Sequence, residues 1–208
     1  MRLSQLPFTE LLNAFRSREP TPGGGSASAL SGAVGASLLA MVAGLPKPRA
    51  HRTEETERLT AAGARCAAIG DNLAALMDRD SHAYDLVVAA FRLPKNTDEE
   101  STARGTRIQD ALRSATEAPL DVMRACAEAI GLAAVVAAFG NRNASSDVQV
   151  GLELLRAGLR GAKLNVDINL ASIKDETFSA AIRREAEYLA GEGERGVSAA
   201  VSQLESER

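Results

Sequence analysis

Asp80 and Tyr84 stand four residues apart. They share one face of any helix that carries them, and Val87, Val88 and Phe91 continue that face. A carboxylate among apolar neighbours is costly to bury without a partner, so Asp80 is a candidate acid or base. The other reading leaves it in solvent beside Arg79 or Arg52. Asn165 and Asn169 repeat the spacing among Leu164, Val166, Ile168 and Leu170, with Asp167 on the other side. Two amides on an apolar helix face need hydrogen-bond partners, from another helix or from a ligand. Gly23-Gly24-Gly25-Ser26 offers free N–H groups at a helix start, able to hold an anion or a carbonyl, or acts only as hinge and cap. It is neither a Walker A loop nor a dinucleotide fingerprint, because no Gly-Lys-Ser/Thr follows and no strand precedes it. Asn141, Asn143 and Asp147 follow Gly140; they either shape a helix–helix corner or add amides and a carboxylate to a site. Lys95, after Leu93-Pro94, could donate to a carboxylate or stay solvated. This inventory suits binding and proton transfer on a polar, planar small molecule, with no nucleophile triad and no metal.

The elements that must position these residues read as helices throughout. A short helix is predicted from about Thr9 to Phe15, and Pro20 to Gly25 break it completely. Ser26 is expected to cap a helix in which Ala29, Gly32, Ala33, Ala36 and Ala40 recur at three- and four-residue steps. Such a small-residue stripe admits another backbone closely and marks a central helix. A long helix follows from Thr53 to Phe91, with bends expected near Gly63 or Gly70. Thr97 and Glu100 have the form of a capping box for a helix to about Thr116. Pro119 is expected near the start of another, apolar nearly all round from Ala129 to Phe139. The next begins at Ser145, Ser146 or Asp147 and is expected to break between Gly158 and Gly161. Asp175 caps a last amphipathic helix towards Gln203. No alternating strand is evident, so residues 1–208 are expected to form one domain, an all-α antiparallel helical bundle.

Composition agrees. The chain has 208 residues, 45% hydrophobic and 25% charged, which excludes wholesale disorder. Aromatics are 3% and Trp is absent, so the core must be Ala, Leu, Val and Ile, which suits closely spaced helices. A net charge of -3 gives no footprint for nucleic acid. Cys66 and Cys126 are isolated and read as buried small hydrophobes. His51 and His82 match no metal motif. The amino terminus lacks the basic-then-apolar order of a signal peptide, and Ala29 to Leu45 reads as a buried rather than membrane helix, so a cytoplasmic protein is expected.

Five strings then occur in order: Pro-Thr-Pro-Gly-Gly-Gly-Ser at 20–26, Asp80 before Ala83-Tyr84, Leu-Pro-Lys-Asn-Thr at 93–97 with Glu99-Glu100, Gly-Asn-Arg-Asn-Ala-Ser-Ser-Asp at 140–147, and Gly-Ala-Lys-Leu-Asn-Val-Asp-Ile-Asn-Leu at 161–170. Together they resemble the cyclodeaminase domain of formiminotransferase-cyclodeaminase and the stand-alone methenyltetrahydrofolate cyclohydrolases. The resemblance implies an all-α homodimer with a folate cleft, a tetrahydrofolate derivative as substrate and no prosthetic group. It implies chemistry at the N5–C–N10 bridge, with Asp80 and Asp147 in carboxylate roles and Lys95 as electrostatic partner or holder of a glutamate tail. Gly23, Gly24, Gly25, Ser26, Asn141, Asn143, Asn165 and Asn169 would bind. No formiminotransferase domain is expected here, so a coupled two-step use of formimino groups is not expected; Ser101-Thr102 stand where charged residues are expected in the two-domain enzymes, which favours the cyclohydrolase. The competing class is a catalytically inactive reduced-folate-binding or helical interaction protein.

Overall fold

A computed structural model describes residues 2–46 and 52–206; His51 lies outside them. A 3-10 turn, Leu3–Gln5, precedes six α-helices: α1 Phe8–Arg16, α2 Gly24–Gly44, α3 Thr53–Phe91, α4 Asp98–Phe139, α5 Ser145–Leu170 and α6 Glu176–Ser206. A second 3-10 turn, Arg142–Ala144, joins α4 to α5, and no strand occurs among the described residues. The all-α bundle expected from the sequence is what forms. Helices α2 to α6 run alternately up and down. Ser26 meets Met77 while Gly63 meets Ala43, and Asn169 meets Ala115 while Gly158 meets Cys126.

The small-residue stripe explains the packing. A Cβ on Gly32 would lie 2.6 Å from Cys126 Sγ, one on Gly35 2.6 Å from the Gly151 carbonyl, and one on Gly158 2.8 Å from the Ser28 carbonyl. Backbones of α2 and α5 therefore touch almost directly, with α4 closing behind them. Leu39, Leu73, Leu120, Leu155 and Leu159 fill the core at 1% exposure or less. Burying each such side chain contributes about 1.5–3 kcal/mol. By length and apolarity α2 and α4 could each cross a bilayer, yet 44% and 50% of their apolar windows are buried inside the protein. Cys66 and Cys126 are buried, as expected, and burial pushes their thiols up to about 11 and about 12.

Several helix boundaries differ from expectation. The helix expected to break between Gly158 and Gly161 runs unbroken as α5, because those glycines face Ser28 of α2 rather than a turn. Gly63 and Gly70 sit inside α3, which keeps its expected bounds, and there Ala43 and Ser37 approach. Pro119, expected near a new start, is buried inside α4, and the carbonyl it leaves unpaired is taken up elsewhere. Ser26 does not cap α2: Gly23 holds the cap position and Ser26 is buried in the first turn. Helix α1 starts at Phe8 after Pro7, not at a Thr9 cap. Thr97 Oγ1 does accept from Glu100 N (3.2 Å), and Asp175 Oδ1 from Phe178 N (3.0 Å), but the other half of the Thr97 box shifts by one residue, Glu100 Oε2 accepting from Asn96 N (2.7 Å).

Close backbone approach has a measurable signature. Gly158→Ala should lower stability by about 1–3 kcal/mol by overpacking, although alanine is the better helix former. Gly131→Ala, whose Cβ would meet nothing within 4 Å, should instead stabilise by up to about 1 kcal/mol. Urea unfolding of the two variants checks the contrast.

Candidate functional site

Helix α2 begins where α3 carries Asp80. The first-turn N–H groups of an α-helix have no intrahelical partner, and here they point at a carboxylate. Asp80 accepts from the Ser26 backbone N–H and from Ser26 Oγ, whose O–H lies 2.9 Å from Oδ2. Ser26 Oγ is also 3.2 Å from the Met77 carbonyl and 3.1 Å from Ser81 Oγ. A Cβ on Gly25 would lie 2.6 Å from Asp80 Cγ, so only glycine lets the carboxylate sit against the turn. Burial pushes the Asp80 carboxyl above its ordinary value, opposed by the two Ser26 hydrogen bonds, which pull it down. The solvent reading of Asp80 is therefore replaced by a half-buried carboxyl at a helix N-terminus. Its sequence neighbour Asp78 has another task, accepting from Ser4 and the Leu3 N–H to hold the amino-terminal turn.

Above Asp80 opens a cleft of about 440 Å³. Its floor is Gly23 to Gly25 and Asp80; Tyr84, Val87 and Phe91 of α3 and Leu112 and Ala115 of α4 form one wall; Asn165, Ile168 and Asn169 of α5 form the other. That volume suits a small organic molecule, and apolar walls with a few convergent polar groups are the usual lining. Pro20 and Thr21 edge it, with the Thr21–Pro22 peptide cis.

The two carboxamides are held differently. Asn165 Nδ2 donates back to the Gly161 carbonyl (2.8 Å), and the amide lies against Gly24, where a Cβ would be 3.4 Å from Nδ2. Asn169 Nδ2 donates 2.8 Å to the carbonyl of Ala115. Proline at 119 has no N–H for the carbonyl four residues earlier, so Asn169 replaces a missing helical bond across helices. Both readings of this pair hold: each amide has a structural bond, and each lines the cleft. Sequence reasoning missed Ile168, Leu112 and Ala115 as cleft walls, although Leu112 and Ala115 precede Pro119 by seven and four residues, one helix face.

Other expected site residues lie elsewhere. Asp147 is eighteen residues before Asn165 on the same helix, about 27 Å along its axis. Asn141 is occupied by the α4–α5 corner: its Nδ2 donates to the Pro46 carbonyl (2.6 Å) and its Oδ1 accepts from Asn143 N (2.9 Å). Asn143 and Asp147 share that end of the bundle, so within one chain the residues that the resemblance gathers at one folate cleft lie at two places. Lys95 is exposed in the α3–α4 loop. From Asp80 to the end of α3 is eleven residues, about 16 Å, so Lys95 is no direct partner of Asp80. His82 is exposed and outside the cleft. Among the described residues no three His, Cys, Asp or Glu side chains converge as metal ligands would.

The upward shift of the Asp80 carboxyl carries a sign that can be checked. With its folded value above the unfolded one, ionised Asp80 costs stability once pH has risen past the unfolded value. Asp80→Asn should therefore raise the thermal midpoint at neutral pH. The gain should vanish in acid, where the carboxyl is protonated in both states. Melting curves across pH decide; a gain that does not depend on pH would contradict the assignment.

Known proteins resemble this chain along nearly its whole length. It is 41% identical over 181 residues to the methenyltetrahydrofolate cyclohydrolase of Methylorubrum extorquens, covering 87% of each chain. It is 31% identical over 204 residues to the formimidoyltransferase-cyclodeaminase of Sus scrofa, spanning 96% of this chain and 37% of that longer one. The crystal structure of formiminotetrahydrofolate cyclodeaminase from Thermotoga maritima superposes with a TM-score of 0.82 at 28% identity, covering 98% of both chains. With residues 7–188 also matching the family profile described as formiminotransferase-cyclodeaminase, the chain belongs to that family.

Proposed function

We propose that this chain is an enzyme of folate one-carbon metabolism, a methenyltetrahydrofolate cyclohydrolase acting as a cytoplasmic homodimer without nucleic-acid, membrane or prosthetic-group partners. One observation carries the reading: a half-buried carboxyl, held by a helix N-terminus, forms the floor of a cleft large enough for a pterin. The relative sharing 87% coverage in both directions is named for this reaction, and Ser101-Thr102 favour it as well.

The geometry suits the chemistry. Water adds to the cationic carbon between N5 and N10, giving a tetrahedral carbon. Asp80, ionised, takes a proton from the attacking water and becomes the acid that protonates N5 as the C–N5 bond breaks. The remaining hydroxyl proton leaves as the formyl C=O forms on N10, so one water is consumed and one proton released. A carboxyl that burial pushes up while two Ser26 hydrogen bonds favour its ionised form serves both halves of that transfer. Before reaction its charge stabilises the amidinium cation. The free amide groups of Asn165 and Asn169 and the first-turn N–H groups of α2 would read the pterin edge. Lys95, at the tip of the α3–α4 arm, would reach the glutamate tail.

A second reading has one specific support, the solved relative named a formiminotetrahydrofolate cyclodeaminase. The same carboxyl would then protonate departing ammonia rather than accept from water. Absorbance of 5,10-methenyltetrahydrofolate separates the two: accelerated loss over spontaneous hydrolysis is the outcome expected here, and accelerated formation from 5-formiminotetrahydrofolate would favour the deaminase. Asp80→Asn should lower kcat/KM by about 10²–10⁴-fold, the usual contribution of an acid–base group. Reduced-folate binding without either turnover would leave a non-catalytic binding protein.

A further inference from the structure

Ser26 has more hydrogen-bond partners than its packing requires. Its side chain is fully buried and lies outside the lining of the cleft, so it meets no substrate. The Met77 carbonyl, 3.2 Å away, would alone satisfy its one O–H. Two further oxygens nonetheless stand at bonding distance, Asp80 Oδ2 at 2.9 Å and Ser81 Oγ at 3.1 Å. A hydroxyl donates once and accepts twice, so Ser26 can accept from one of these neighbours while donating to the other. The three oxygens form a chain along which a proton can move.

Its two ends open on different sides. Asp80 faces the cleft, whereas Ser81, the next residue of α3, is half-buried and does not line the cleft. Ser81 shares its side of α3 with Asp78, three residues earlier, which holds Leu3 and Ser4. The exposed part of Ser81 therefore meets solvent away from the cleft, towards the amino-terminal turn. On the cleft side Gly25 and Ser26 face Asp80 from α2, Tyr84 from its own helix and Asn165 from α5, while α4 contributes only apolar wall. Tyr84 alone among these titrates, and none carries a charge near neutral pH.

Each turnover at the N5–C–N10 bridge releases one proton. Once Asp80 has protonated N5 it is ionised again, and it takes the proton of the remaining hydroxyl as the formyl C=O forms. A folate seated in the cleft covers the carboxyl from that side. Resting on the enzyme reading above, we propose that Ser26 and Ser81 carry this proton from Asp80 to solvent behind the cleft. The Asp80 O–H bond breaks as Ser26 Oγ gains its proton. The Ser26 O–H breaks as Ser81 Oγ gains the next, and the Ser81 proton passes to a water outside. Three O–H bonds break and three form, Asp80 is left ionised, and rotation of the two hydroxyls resets the chain. Neither serine touches the reacting carbon; both act through Asp80.

The relay is tested by following loss of 5,10-methenyltetrahydrofolate across pH, in water and in deuterium oxide. Ser81→Ala, a change well tolerated in a helix, should lower kcat about tenfold, less than the loss of Asp80 itself. KM should stay the same, the solvent isotope effect should grow, and imidazole buffer should restore part of the rate. Ser81→Thr keeps the hydroxyl and should keep the rate. Ser26→Ala should lower kcat similarly and also move the acid limb of kcat/KM to higher pH, because a donor to the ionised carboxyl is gone. Ser81→Ala should leave that limb in place. Melting curves establish that each variant is folded. Wild-type kcat and isotope effect in Ser81→Ala or Ser26→Ala, or a Ser81→Thr as slow as the alanine variant, overturns the relay. Absence of turnover in the wild-type protein overturns the enzyme reading instead.

Discussion

Contact between the backbones of α2 and its neighbours is the constraint on which the rest depends. Helices usually pack 8–10 Å apart because side chains intervene. Here Gly32, Gly35, Gly151 and Gly158 remove those side chains, and the next atoms met are carbonyls and a thiol. Close packing lets a chain with 3% aromatics build a core from leucine and alanine. It also sets the depth of the first turn of α2 in the bundle. That depth brings Gly25 against Asp80 and leaves room above them for the cleft.

At Asp80 two opposing effects meet. Burial disfavours the charge, while the Ser26 N–H and O–H favour it. A carboxyl pulled both ways, up by burial and down by hydrogen bonds, is the kind of group that acid–base chemistry draws on. The fold bears a stability cost at this residue, as it does wherever a carboxylate is drawn out of water.

Much of this was legible in the sequence, for physical reasons that also mark where reading stops. Periodicity and caps revealed the helices, so Thr53 to Phe91 and the Thr97 and Asp175 caps came out as the structure has them. Gly158 and Pro119 misled because their local meaning is a break, while their tertiary meaning is close approach and a rebuilt bond. That Asp80 and Asn165 needed partners was legible because polar groups on apolar faces demand them, and the glycine run marked the helix start they meet. The separation of Asp147 from Asp80 was not legible, since helix direction and length, not residue type, decide which ends meet. The residue type of Ser26 suits a cap; only the position of α3 turns its hydroxyl towards a carboxylate.

The bond from Asn169 to the Ala115 carbonyl ties two distant positions into one unit of inheritance. Proline at 119 creates a vacancy for a donor, and asparagine at 169 fills it from across the bundle. Were 119 to drift to an ordinary helix former, its own N–H would reclaim that carbonyl and the amide at 169 would swing free into the cleft wall. Were 169 to drift to an apolar residue, a buried acceptor would be stranded. Lineages of this fold should therefore keep or exchange the two together, and where they part, the cleft's polarity changes without any alteration in the residues that carry the reaction.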